Sequence, residues 1–186
     1  AFTRLAEVTG EARWIAAAQD TADALLDLFW DEARGGVFTS GHDAEALIAR
    51  PKDLMDNATP GANGLAAVGL LRLAALTDRA RYREAGETVV RLLAPLAVQH
   101  PTAFGHGLGA VDLLVRGTTE VVVAGDRPDL VAVAQRRFAP DQVLAWGERY
   151  DSPLWEGRED GRAYVCRSYA CQLPATTVED LRAQLP

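Results

Sequence analysis

The stretch Arg50-Pro51-Lys52-Asp53-Leu54-Met55-Asp56-Asn57-Ala58-Thr59-Pro60-Gly61-Ala62-Asn63 holds the densest set of chemically capable side chains in this chain. Asp53 and Asp56 form the kind of carboxylate pair that glycoside hydrolysis needs, one as acid and one as base or nucleophile. His106, within Ala103-Phe104-Gly105-His106-Gly107, can serve as acid, base or sugar contact near neutral pH. Asp53, Asp56 and His106 are therefore the candidate catalytic residues. Arg50, Lys52, Asn57, Asn63 and Phe104 are the candidate substrate-binding residues around them. Helix starts present unpaired backbone N–H groups, which suit hydroxyl-rich or anionic ligands, and a small carbohydrate-like ligand is the expected partner. The structural alternative has the acids favouring a helix dipole and pairing with Arg50 and Lys52, with His106 a capping or packed residue. Both readings stand at this point, because spacing along a chain sets no distance between two carboxyl groups.

Other candidates carry less. His100 precedes Pro101 and reads as a helix-end residue, and His42 as a hairpin tip. Cys166 and Cys171 are separated by four residues, a spacing that matches neither a redox Cys-X-X-Cys motif nor a zinc site. Buried thiols in a small sheet are the expected state, with a reversible disulfide the lesser alternative. Gly125-Asp126 after an apolar strand invites a nucleotide site, but the glycine fingerprint is absent and the following acids repel phosphate. No metal site and no cofactor is expected.

These side chains need helices to hold them, and the helical grammar is written twice. Arg4-Leu5-Ala6-Glu7-Val8-Thr9-Gly10-Glu11-Ala12-Arg13-Trp14 returns as Arg72-Leu73-Ala74-Ala75-Leu76-Thr77-Asp78-Arg79-Ala80-Arg81-Tyr82. Each copy reads as the elbow of a helical hairpin, a unit that buries its apolar face only by stacking on neighbours. The first copy opens almost at its elbow, so Ala1 is expected to be a cut through a larger array. Trp14, Ala18, Ala22, Leu25, Leu26 and Phe29 mark a helix within 11–29. Gly36–Thr39 and Ala46–Ala49 read as two short strands. Thr59 and Pro60 read as the cap and first turn of a helix running to Thr77. Tyr82 to Leu96 forms the return helix, and Phe104 to Val115 one more.

After Gly117 the pattern changes. Glu120–Gly125 and Gln142–Trp146 read as strands around a helix capped by Asp126 and running through Phe138, a small β-α-β unit. Ala163–Cys166 can add a strand, and Thr177 opens a final helix. The fold class expected is mainly α: helical hairpins of an incomplete toroid over 1–117, then a small α/β unit over 118–186. A fragment of residues 1–116 is expected to expose an apolar flank and self-associate.

The net charge of -7 and the lack of a basic block argue against nucleic acid as a partner. No apolar run reaches the roughly 20 residues that span a bilayer, so no membrane partner is expected and a cytoplasmic setting is. An apolar content of 48% is ample for a packed core.

Phe29-Trp30-Asp31-Glu32 with Gly35-Gly36, Arg50-Pro51-Lys52-Asp53, Asp56, Thr59-Pro60 and Asn63 together resemble one family. The match continues through Phe104-Gly105-His106, Val121–Gly125 and Tyr164-Val165-Cys166 to Cys171-Gln172. It is the spermatogenesis-associated, thioredoxin-domain-containing family. The resemblance implies a thioredoxin-like domain ahead of this region, as a partner within a longer chain. It also implies an (α/α) toroid of the six-hairpin glycosidase type, similar to the N-acylglucosamine 2-epimerase group, in which loops at one mouth bind sugars. By matching position, Arg50, Lys52, Asp53, Asp56, Asn63 and His106 would lie near that mouth. The family reads Pro-Ser-Gly-Asn where this chain has Pro60-Gly61-Ala62-Asn63, so a hydroxyl is lost there. Two functional readings follow: a sugar isomerase, epimerase or hydrolase-like activity, or a non-catalytic scaffold for the thioredoxin-like domain or another protein.

Overall fold

The computed structural model describes residues 1–45 and 48–185. About half of them lie in seven α-helices: α1 (Phe2–Thr9), α2 (Arg13–Leu28), α3 (Ala62–Thr77), α4 (Ala80–Gln99), α5 (Gly105–Arg116), α6 (Pro128–Gln135) and α7 (Val178–Gln184). Four strands follow α5: β1 (Thr119–Ala124), β2 (Gln142–Trp146), β3 (Arg162–Arg167) and β4 (Ala170–Cys171). The mainly helical character with a small C-terminal α/β part matches the expected class. The residues divide into two compact units, one of 18–74 and 79–115, the other of 1–17, 75–78 and 116–186.

The first unit is helical. Along α4, Tyr82, Ala85, Val89 and Leu93 recur at three- and four-residue intervals, and all four are buried. Val89 and Leu93 meet Ala67 and Leu71 of α3 and Phe104, Ala110 and Leu113 on and beside α5. In α3, Ala66, Ala67, Leu70, Leu71, Leu73 and Ala74 are all buried. A helix apolar on nearly every side has to be enclosed on nearly every side. The fully buried Tyr82 hydroxyl donates to Asp23 at 3.0 Å. Burial and that hydrogen bond both raise the Tyr82 pKa, since each favours the neutral phenol.

Two local expectations change here. The helix start assigned to Thr59 and Pro60 falls two residues later, at Ala62. Its first N–H groups are met by aspartates further back in the chain, as described below. The strand expected at Gly36–Thr39 reduces to a single bridge, Val37 with Trp30. In its proposed partner Ala46–Ala49, Ala46 and Leu47 lie outside the described residues, and Ile48 and Ala49 are not in a strand.

The second unit is built on the sheet, in the order β2-β1-β3-β4. β1 pairs β2 in parallel with α6 between them, which is the β-α-β unit read from sequence, and β3 runs antiparallel to β1. Alternation along β1 sends Val122 and Ala124 to one face and Val121 and Val123 to the other. The second face is covered by Leu130, Val131, Val133 and Ala134 of α6 and by Leu181 of α7. On the first face the covering residues include Ala6 and Ile15 from one repeated elbow and Ala75 and Leu76 from the other, together with Leu154 and Trp155. The repeat is visible in the backbone as well. Gly10, which caps α1, has φ 70°, and its counterpart Asp78 has φ 55°. Both bends need a left-handed residue to end one helix and turn toward the next.

α6 is shorter than expected and its cap differs. Arg127, not Asp126, precedes the first turn at Pro128, and Arg127 pairs with Asp129 at 2.7 Å. The final helix does start at Thr177, where Thr177 and Asp180 each accept the other's backbone N–H in a capping box. The expectation of free thiols is overturned: Cys166 and Cys171 form a disulfide. They sit directly opposite one another across the β3–β4 hairpin. A five-residue separation brings them together because the turn residues Ser168 and Tyr169 both take positive φ, 50° and 63°. That is the backbone twist a two-residue hairpin requires.

Candidate functional site

The polar segment 50–63 belongs to the helical unit, and its geometry starts at Asn63. This side chain is completely buried. Its Oδ1 accepts from the Val37 N–H at 2.8 Å, and its Nδ2 donates to Val37 O at 3.0 Å and Asp53 O at 2.9 Å. One amide thereby ties the first turn of α3 to two passing stretches of chain. Gly36, at φ 79°, is required beside it: a Cβ there would lie 2.8 Å from Asn63 Oδ1 and 2.7 Å from Leu92 Cδ2.

The two aspartates meet helix starts. Asp53 Oδ2 accepts from the Ala62 N–H at 3.1 Å, at the first residue of α3. Asp56 reaches two elements: Oδ1 accepts from Gly61 N–H at 2.8 Å and Oδ2 from His106 N–H at 2.7 Å. The Asp56 backbone is held too, its N–H donating to Ala103 O at 2.7 Å. Anionic oxygens at helix N-termini satisfy orphan donors and favour the dipole. Asp56 therefore links the beginnings of α3 and α5, which also approach closely, since a Cβ on Gly64 would be 3.2 Å from Gly107 N.

The cations turn toward the 28–40 segment. Lys52 pairs with Asp31 at 2.7 Å, each side chain only 13% exposed, and also donates to Gly35 O. The Lys52 ammonium, with the Ala33 and Arg34 N–H groups, holds the Asp31 carboxyl below the ordinary carboxylate range. Arg50 donates to Ser40 O at 2.5 Å and to Leu28 O at 3.3 Å, and its guanidinium lies 4.3 Å from the Phe38 ring centre.

Of the remaining candidates, Phe104 is buried in the helical core. Asn57 is exposed, and its Oδ1 accepts from the next N–H, that of Ala58, at 3.0 Å. His106 is half-buried, with its Nε2 enclosed and without a hydrogen-bond partner. The fold thus brings Asp53, Asp56, Asn63 and His106 to the N-terminal ends of α3 and α5. Lys52 and Arg50 hold the neighbouring loop.

The chain resembles spermatogenesis-associated protein 20. It is 28% identical to the human protein over 198 aligned positions, covering 97% of this chain. It is 26% identical to the rat and mouse proteins over the same span. This homology supports that family, and the chain spans about a quarter, 25%, of the length of these relatives. No family model matches the chain. Spermatogenesis-associated protein 20 is named for an association and not for a reaction, so the similarity carries no chemistry to the residues above.

Two features escaped the sequence reading. Asp31 stands in the sequence only within the family motif, yet it forms the most enclosed ion pair described around segment 50–63. Its place between Trp30 and the Gly35-Gly36 pair was the available signal. The other feature is the pair of open grooves. One, of about 410 Å³, is lined by Leu26, Trp30, Glu32, Arg81, Glu84, Ala85 and Thr88. The second, of about 630 Å³, is lined from α6 and α7 by residues including Val133, Arg136, Val178 and Arg182. None of the candidate catalytic or binding residues lines either groove. Among the described residues, no three His, Cys, Asp or Glu side chains stand together to hold a metal, and no helix is long and apolar enough to cross a membrane.

Proposed function

We propose that this part of the protein is a non-catalytic scaffold, which supports a thioredoxin-like domain or another protein partner. The observation that carries the reading is the commitment of both aspartates to backbone. Each Asp56 oxygen already accepts an N–H, and Asp53 Oδ2 accepts another. An acid/base pair for glycoside hydrolysis has to face the substrate and exchange protons with it. Carboxylates whose oxygens accept the N–H groups of helix starts are engaged in holding those helices, and removing either acceptor would loosen α3 or α5. Arg50 and Lys52 support this reading in the same way, by bonding carbonyls of the adjacent loop and not an open cleft.

A sugar-binding toroid mouth is the second reading, favoured by the unpartnered Nε2 of His106. Calorimetry of the full-length protein separates the two. The scaffold reading expects silence against a panel of mono- and disaccharides, and saturable heat when a thioredoxin-like domain is added to the protein lacking that domain. It also expects Asp53→Asn and Asp56→Asn to lower melting temperature without abolishing any ligand binding. A sugar that binds saturably to the wild type, and fails to bind a folded Asp56→Asn or His106→Ala variant, overturns it.

A further inference from the structure

We infer that the Cys166–Cys171 pair is a thiol–disulfide exchange site, whose reaction partner is a dithiol and whose thiolates are stabilised by Arg158. The inference stands apart from the scaffold reading, since it concerns the other compact unit.

Three observations carry it. First, a guanidinium sits on the sulfurs. Arg158 Nη2 lies 3.0 Å from Cys171 Sγ and 3.7 Å from Cys166 Sγ. A neutral disulfide gains little from a neighbouring cation, whereas a thiolate gains a great deal. Arg158 is held in place for this contact. Its Nε donates to Leu154 O at 2.8 Å, and its plane lies 4.6 Å from the Tyr164 ring centre. Tyr164 is fixed in turn, its hydroxyl accepting from Glu159 N–H at 2.9 Å.

Second, the bond is accessible from one side only. Cys166 is 1% exposed, while Cys171 is partly exposed on β4, the edge strand of the sheet. An incoming thiolate can therefore reach Cys171 Sγ, with Cys166 Sγ as the leaving group. Third, the hairpin does not depend on the bond. The ladder between β3 and β4 continues past it, with Gln172 N–H donating to Val165 O at 2.9 Å. Tyr169 at the turn is tethered by its N–H to Glu120 Oε2 at 3.3 Å and by its hydroxyl to Ala75 O at 3.2 Å. A cross-link that closes so short a loop removes little chain entropy, near the lower end of what disulfides supply. Reduction thus leaves both thiols opposed and ready to close again.

A thiolate of the dithiol attacks Cys171 Sγ, forming a mixed disulfide, and the electron pair of the Cys166–Cys171 bond leaves on Cys166 Sγ. The second thiol of the reductant loses its proton to solvent and attacks its own partner sulfur. Cys171 is released as a thiolate, and the reductant departs as a disulfide, two electrons poorer. One or both cysteine thiolates then take protons from water. Run backwards, the same steps oxidise the pair and reduce a disulfide partner.

The test uses the full chain under native conditions, with dithiothreitol in one arm and a purified reduced Cys-X-X-Cys protein in the other. Alkylation with a mass-tagged reagent reports the thiols. The pair should be reduced in either arm while near-UV circular dichroism stays native. In Arg158→Gln the equilibrium should move about tenfold toward the disulfide, and the pH profile of alkylation should shift upward. Arg158→Lys should restore part of both effects, and it replaces Arg158→Gln if that variant does not fold. Reduction by dithiothreitol alone identifies small thiols as the partner, and reduction by the protein dithiol identifies a protein one. A bond that resists both until the chain is unfolded in denaturant overturns the inference. So does an alkylation profile that is the same with and without the cation at 158.

Discussion

Asp56 and Asn63 are polar residues whose partners are nearly all backbone, and this makes them more consequential for stability than their surface counterparts. Asn63→Ala leaves the buried Val37 N–H and Val37 carbonyl without their side-chain partner and removes one of the two donors to Asp53 O, whose other donor is the backbone N–H of residue 63. Its expected cost is about 3 kcal/mol, since each buried orphan carries its own desolvation penalty. Asp56→Ala frees two helix-start donors and should cost about 2 kcal/mol, with Asp56→Asn intermediate because one acceptor survives. Urea midpoints at pH 7 check both, and equal stabilities for all three variants would contradict the assigned roles. Asp31 adds a pH dependence. Its pKa is lowered in the fold, first by the Lys52 contact, so its contribution is complete above the ordinary carboxylate value of about 3.9. It is lost as pH falls through the depressed value. The stability difference between wild type and Asp31→Asn should be flat above about pH 5 and shrink below about pH 4. A difference that grows toward acid would refute the Lys52 pairing. Asp56 and Asn63 stood out in the sequence for chemistry; their bonding to chain segments 50 and 26 residues away was not legible there, because no local pattern encodes it.

The helices and strands were more open to reading. Hydrophobic spacing in α2, α4 and β1, the capping box at Thr177 and the repeated elbows at Gly10 and Asp78 are local signals with local causes. The start of α3 was misplaced because Thr59-Pro60 is a good local cap, yet the donors at Gly61 and Ala62 are claimed by Asp56 and Asp53 from outside. The cysteines were misjudged for a related reason. Ser168 and Tyr169 lack the glycine or asparagine that usually announces a tight hairpin, and their left-handed backbone is held by Glu120 and Ala75. One element junction gives a sharp prediction. Gly147 has φ 75°, and a Cβ there would be 2.5 Å from Gly10 O, where the end of β2 meets the C-terminus of α1. Gly147→Ala should cost at least about 2 kcal/mol, from backbone strain and overlap combined. A thermal melt unchanged from wild type would show that this junction yields.

The unit around the sheet collects its residues from three parts of the chain, 1–17, 75–78 and 116–186. One face of the sheet packs against Ala6, Ile15, Ala75 and Leu76, all from the first 78 residues, whereas every strand comes from residues 119–171. Residues 118–186 alone should therefore lack a cooperative melt by circular dichroism, because Val122, Val143 and Tyr164 lose their cover. Residues 1–116 alone should self-associate in light scattering, because the same elbow residues lose the sheet. A monomeric 1–116 fragment, or a cooperatively folded 118–186 fragment, would show that the two faces are not mutually required.

Periodicity, turn residues and the duplicated elbow settled the class of each element and the order in which they come, since those signals act over a few neighbouring residues. Folding in three dimensions settled the rest: that two distant elbows cover one sheet face, that the aspartates hold helix starts, and that two thiols join beside Arg158. These outcomes depend on which groups meet across long loops. Such meetings are chosen by burial and unsatisfied donors in the packed chain, which a stretch of residues read in isolation does not contain.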